Sequence, residues 1–136
     1  MIDLIKRLKE AEVGSAELSA HVIKAALAPA ETWVAQSPFN GAWLIYERRE
    51  KPRLWEPGGS LRNLSPTESL DAALALAERV LPGWGWCMRT DDTGQCFANV
   101  FPKCPNTDRI YFDVYAATPA LALCAAILKA TDTGRE

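Results

Sequence analysis

Along the chain, apolar residues recur with a helical period in some stretches and alternate or cluster in shorter ones. Ile2, Ile5 and Leu8 stand three apart, with Lys6, Arg7 and Lys9 left for solvent, which predicts an opening helix. Gly14 then suits a helix terminator and Ser15 the N-cap of a second helix. Leu18, Val22, Ala25 and Ala26 form the stripe of that second helix, and His21 lies close to its edge. Leu70, Ala73, Leu74 and Ala77 mark a third helix. The "SPTE" ahead of it reads as a capping box, with Ser65 as N-cap, Pro66 at the first helical position and Glu68 at the third. This helix is expected to end near Pro82-Gly83. From Ala120 to Ala130 only Lys129 breaks an apolar run, so the last helix, opened by Thr118 and Pro119, is expected to be buried on most sides. SPTESLDAAL and TPALALCAAI resemble each other, an echo that shared cap chemistry explains better than duplication.

Strand signals fill the spaces between. "WGWCMRT" and "QCFANVF" flank the turn-rich "DDTG" and predict a hairpin. "RIYFDVY" at 109–115 is the next strand, after the loop "KCPNTD". Residues 31–64 read as an irregular, proline-rich insert with a β-hairpin at 42–56: Trp43 to Tyr46, a charged tip, then Arg53 to Trp55. "PGGSLRN" follows as a loop. The whole 1–136 reads as a single domain of mixed α+β class. The expected sheet is small and mainly antiparallel, with helices on both faces.

Within the hairpin, setting Thr90 opposite Gln95 pairs Trp84 with Phe101, Trp86 with Asn99 and Met88 with Phe97 on one bulky face. Gly85, Cys87, Arg89, Cys96, Ala98 and Val100 then share the other. A slip of one residue would reverse every assignment. Two apolar faces imply a sheet covered on both sides. A fully buried indole is worth roughly 2–3 kcal/mol, so the Trp84–Trp86 pair is expected to fill the core. Trp43 and Trp55 are then the tryptophans left for recognition.

Composition narrows the setting. The 136 residues are 49% hydrophobic and 24% charged, with a formal net charge of −2. These are ordinary globular values, and a domain that grips duplex nucleic acid through phosphates normally carries a cationic excess. "MIDLIKRLKEAE" has no continuous apolar core of a signal peptide, and the most apolar run is shorter than a membrane span. The expectation is a soluble cytoplasmic protein with no membrane partner. Cys87, Cys96, Cys104 and Cys124 form no CxxC pair and His21 is the only histidine, so neither a zinc site nor a disulfide framework is expected.

"SLDAALALAERVLPGWGW" followed by "AATPALALCAAILKA" resembles the phage ABA sandwich domain family, small proteins encoded by bacteriophages and prophages. "DLIKRLKEAE…ELSAHVIKAAL" is similar to the family's opening helix pair. The resemblance covers most of the chain outside 31–64. It implies a three-layer α-β-α sandwich and a virus-encoded protein acting in bacterial cytoplasm. It carries no catalytic residue.

No GxSxG, phosphate loop, HExxH or dinucleotide fingerprint is present, and no cofactor is called for. Asp91 and Asp92 read as turn residues rather than metal ligands. Asp108 and Asp113 have no spacing that makes them an acid/base pair. The densest polar feature is "YERREKPR", residues 46–53, where Arg48, Arg49, Lys51 and Arg53 outnumber Glu47 and Glu50. With Trp43, Tyr46, Trp55 and Arg62 it interleaves cations and aromatics, a surface able to grip an acidic partner or to hold and stack a nucleotide. The bland alternative is a solvated tip whose arginines protect an edge strand. The expected function is a non-enzymatic phage accessory protein binding a host or viral macromolecule. The alternative is a homo-oligomeric binder that sequesters a nucleotide signal.

Overall fold

Every residue from Ala120 to Leu128 is buried, the outcome expected of a segment with no polar face. In the computed structural model, which describes residues 2–28, 31–48, 53–55, 65–101 and 112–134, they belong to helix α4 (Pro119–Gly134). Its start follows the sequence signal: the Leu121 N–H donates to Thr118 Oγ1 at 3.2 Å, and Pro119 sits where no intrahelical N–H is needed.

Three helices pack against α4: α1 (Ile2–Glu10), α2 (Ala16–Leu27) and α3 (Leu70–Val80). A three-stranded antiparallel sheet covers a further side of it, built from β4 (Gly85–Thr90), β5 (Cys96–Phe101) and β6 (Phe112–Ala116) in that order. Ala98, Val100, Val114 and Ala116 meet Leu121, Leu123, Ile127 and Leu128 there, in one core with Leu8, Val22 and Leu76. Small residues on both surfaces let the helix lie close to the sheet. The first sheet along the chain, also antiparallel and built from β1 (Thr32–Gln36), β2 (Trp43–Glu47) and β3 (Arg53–Trp55), packs against α2, and β4–β6 form the second. The α+β class with antiparallel strands is thus the one expected, with the strands divided between two sheets.

Three local expectations change. First, residues 31–64 are not all irregular: Thr32–Gln36 is a strand, paired with β2 from Thr32↔Glu47 to Gln36↔Trp43. The expected hairpin is present as β2 and β3, and the β-branched and aromatic residues of "TWVAQ" extend it by one strand. The loop "PGGSLRN" and the whole of "KCPNTDRI", with Asp108, lie outside the described residues.

Second, the N-cap of α3 is Ser69, whose Oγ accepts from the Ala72 N–H at 3.3 Å, and not Ser65. Ser65–Glu68 forms a separate turn whose Glu68 and Ser69 N–H groups both donate to the Ser65 carbonyl. Thr67 explains the shift. It is buried, and it bonds to the start of α2 instead of entering α3. Its Oγ1 donates to the Ser15 carbonyl at 2.9 Å and accepts from the Ser15 N–H at 3.1 Å. Its N–H donates to Ser19 Oγ at 3.1 Å. Ser15 itself caps α2 as expected, accepting from the Leu18 N–H. The Cys124 thiol of α4 donates to the Pro66 carbonyl at 3.3 Å, so three helices meet at this turn.

Third, the β4–β5 register is one residue away from the expected one: Thr90 pairs with Cys96, Trp86 with Val100 and Met88 with Ala98. The turn decides this. The Asp91 N–H donates to the Gln95 carbonyl, the Gly94 N–H donates to the Asp91 carbonyl, and Gly94 has φ +86°. That is a three-residue loop closed by a left-handed glycine, where the expected loop had four. The slip puts Trp86 and Met88 on the face of Ala98 and Val100, towards α4. The opposite face carries Cys87, Arg89, Phe97, Asn99 and Phe101. Cys87, Arg89 and Tyr115 are exposed on it, so this face is not covered as expected.

Candidate functional site

The first sheet has two unlike faces. Ile45 is buried on the side of α2. Residues alternate along a strand, so Trp33, Tyr46 and Leu54 stand together on the other side: Trp33 pairs with Tyr46, and Tyr46 with Leu54. The Trp33 and Tyr46 rings stack with centroids 5.9 Å apart and planes 23° apart. Trp33 is 37% exposed and Leu54 46%. At the tip of the β1–β2 turn, Phe39 is 96% exposed. Its turn is well tied: the Phe39 N–H donates to Ser37 Oγ, the Ala42 N–H to Asn40 Oδ1, and the Ser37 N–H to the Ala42 carbonyl.

The residues expected to bind divide accordingly. Tyr46 lies on the open face. Trp43 is partly buried at the start of β2, on the face that carries Ile45. Arg48 is exposed just beyond β2, and its backbone N–H donates to the Glu31 carbonyl at 2.9 Å. Arg53 and Trp55 occupy β3, paired with Glu47 and Ile45. Arg49 and Arg62 lie outside the described residues. Sequence reasoning passed over Trp33, Phe39 and Leu54. The alternation of "TWVAQ" was the available signal for Trp33; nothing in the sequence singled out Phe39.

A cleft elsewhere on the molecule gathers the tryptophans expected in the core. Leu81-Pro82-Gly83-Trp84 is a type II turn closed by the Trp84 N–H on the Leu81 carbonyl at 3.1 Å, with Gly83 at φ +81°. Gly85 is buried under Phe101, whose ring would lie 2.4 Å from any added Cβ. The glycines of "GWGW" thus serve a turn and a ring, and the two indoles are left facing a cleft of about 250 Å³. Ala77, Glu78 and Leu81 of α3, with Val100 of β5, complete its lining. Trp84 packs partly against the core, but Trp86 is 48% exposed. The expectation that both indoles are core filling fails at Trp86. As the second residue of edge strand β4, it stands at the cleft beside the last turn of α3 with about half of its surface open.

Charged groups elsewhere serve structure. Asp91 Oδ1 accepts from the Thr93 hydroxyl at 2.6 Å and from the Thr93 and Gln95 N–H groups at 3.0 Å. Those bonds, the Thr93 hydroxyl first, hold its carboxyl below the ordinary value of 3.8. His21 is half-buried with Nε2 3.8 Å from Glu17 Oε1. Burial and then Arg7 press its pKa below 6.5, against the opposing pull of Glu17. Cys96 and Cys124 are buried free thiols and Cys87 an exposed one, while Cys104 lies outside the described residues. Burial raises the Cys124 thiol far above its ordinary range. Among the described residues, no three His, Cys, Asp or Glu side chains come together to hold a metal ion, and no helix is long and apolar enough to cross a membrane. No protein-family model, curated protein or solved structure matches the chain.

Proposed function

We propose that this chain is a non-enzymatic binding protein that docks a macromolecular partner on the open face of its first sheet. The observation that carries the reading is the stacked Trp33–Tyr46 pair with Leu54 beside it, turned away from α2 and towards solvent. Aromatic residues preorganised on a rigid strand lose little entropy on contact, and such residues dominate interface energies. Phe39, projecting from a turn tied by its own hydrogen bonds, adds an exposed ring at the opposite end of the β1–β2 hairpin from the Trp33–Tyr46 pair. The segment 46–53 holds four cations against two carboxylates, which favours an acidic protein surface as the partner. The resemblance to the phage ABA sandwich family supplies the setting of the proposal: a phage-encoded protein, in bacterial cytoplasm, occupying a host or viral protein.

The test is affinity purification from infected cells with three baits. A partner retained by the parent chain is expected to be lost by the Trp33→Ser/Tyr46→Ser double variant and weakened by Arg48→Ala/Arg53→Ala, with circular dichroism unchanged. Retention by the double variant would overturn the reading. So would stabilisation of the parent by nucleotides in a thermal-shift panel with no protein captured, because mass action would then identify a nucleotide as the ligand.

A further inference from the structure

The cleft between the end of α3 and the start of β4 lies apart from the first-sheet surface, and its chemistry is different. We propose that it binds an alkylated ammonium group, the head of a quaternary amine or of a methylated lysine.

Three features of the cleft carry the same sign. Trp84 and Trp86 line it, and an indole face is the best aromatic partner for an organic cation because its quadrupole presents negative charge. Glu78 brings a carboxylate to the wall. Ala77, Glu78 and Leu81 belong to the last turn and C-cap of α3, the negative end of the helix dipole. Among the described residues that line the cleft, none is Lys, Arg or His.

The remaining lining is aliphatic: Ala77, Leu81 and Val100. A hydrated sodium or primary ammonium ion would lose water there without enough oxygen atoms to replace it. An ammonium wrapped in methyl groups has little hydration to lose and suits an apolar wall. An anionic nucleotide fits poorly, since its phosphates would face Glu78 and the helix C-terminus. The volume of about 250 Å³ admits a compact head group rather than a whole nucleotide. Trp86 lines the cleft with about half of its surface exposed, so a guest can reach the indole.

Choline and its uncharged carbon analogue, 3,3-dimethylbutan-1-ol, have the same shape and differ in charge, so they separate cation recognition from simple hydrophobic filling. Each is titrated into the isotopically labelled protein at fixed ionic strength. The readout is the indole N–H resonances of Trp84 and Trp86, assigned with Trp86→Phe. Saturable shifts with choline in the millimolar range are expected, and about tenfold weaker binding of the alcohol. Glu78→Gln, a change at an exposed position, is expected to weaken choline several-fold and leave the alcohol unaffected. Trp86→Leu is expected to abolish both responses at Trp84 while the melting curve stays cooperative. A trimethyllysine peptide separates the sources: tighter binding than choline identifies a modified protein tail, equal binding a free small cation. Equal affinity for choline and the alcohol, or no saturable shift with choline or the peptide, would overturn the proposal.

Discussion

Thr67 shows how much one hydroxyl can decide. It is buried, its Oγ1 lies 2.6 Å from Ser19 Oγ, and it exchanges bonds with both backbone groups of Ser15. One proton arrangement satisfies all of them: Thr67 donates to the Ser15 carbonyl, Ser19 donates to Thr67, and Ser19 accepts from the Thr67 N–H. Thr67→Val keeps the shape and removes that closure. A buried group left without a partner costs about 1–3 kcal/mol, so the variant is expected to lose at least about 2 kcal/mol in urea denaturation. Thr67→Ser keeps the hydroxyl and loses a methyl, about 1 kcal/mol. A valine variant as stable as the serine variant would show that the hydroxyl does not hold α2 to this turn. The same contact explains Gly14. The sequence marks it as a helix terminator, but an added Cβ would stand 1.8 Å from the Thr67 carbonyl oxygen. The terminator reading fails, since α1 already ends at Glu10; what requires a glycine here is a neighbour fifty-odd positions away in the chain.

At the scale of elements, what could be read depended on whether the deciding contact was local. Thr118-Pro119 starts α4 as its residues suggest, since a cap needs only its own first turn. "SPTE" carries the same local signal, yet a distant serine claims its threonine and the cap moves to Ser69. The hairpin was legible in kind but not in register, because a loop of three and a loop of four differ only in where Asp91 and Gln95 bond. On that single step depends whether Trp86 faces Val100 or Asn99, and hence whether the cleft exists. The loop therefore has a measurable role. The Asp91 carboxyl is held below its ordinary value of 3.8 by the Thr93 hydroxyl and the turn N–H groups. A depressed carboxylate stabilises the fold fully above its unfolded pKa, and that contribution is lost as pH falls through the folded value. The melting-temperature gap between the parent chain and Asp91→Ala should be full near neutral pH and shrink at pH values below the ordinary carboxylate pKa. A gap that stays constant into strong acid would mean that the charge on Asp91 does nothing for the turn.

At the scale of the molecule, α4 occupies the position from which the fold is expected to unfold as one cooperative unit. It packs against α1, α2 and α3 and against all three strands of the second sheet. The expected consequence is that no single element leaves it and exposes its middle, and that several separate together. Cys124 sits in that middle, fully buried, its thiol tied to Pro66 and kept protonated by burial. A thiol reacts as the thiolate and only where a reagent can reach it. Cys87, exposed on the outer face of β4, is accessible in the folded state. Labelling followed site by site by mass spectrometry should therefore modify Cys87 at once and Cys124 only through unfolding. Under conditions where the protein recloses faster than it reacts, the rate at Cys124 reports the free energy of the opening that exposes it. Its dependence on urea should then match the slope of global unfolding, because that slope follows the surface exposed. A shallower dependence at Cys124 would mean that part of the shell lifts off independently. In that case α4 would be a neighbour of the core, and the two sheets would be free to serve their separate surfaces as independent units.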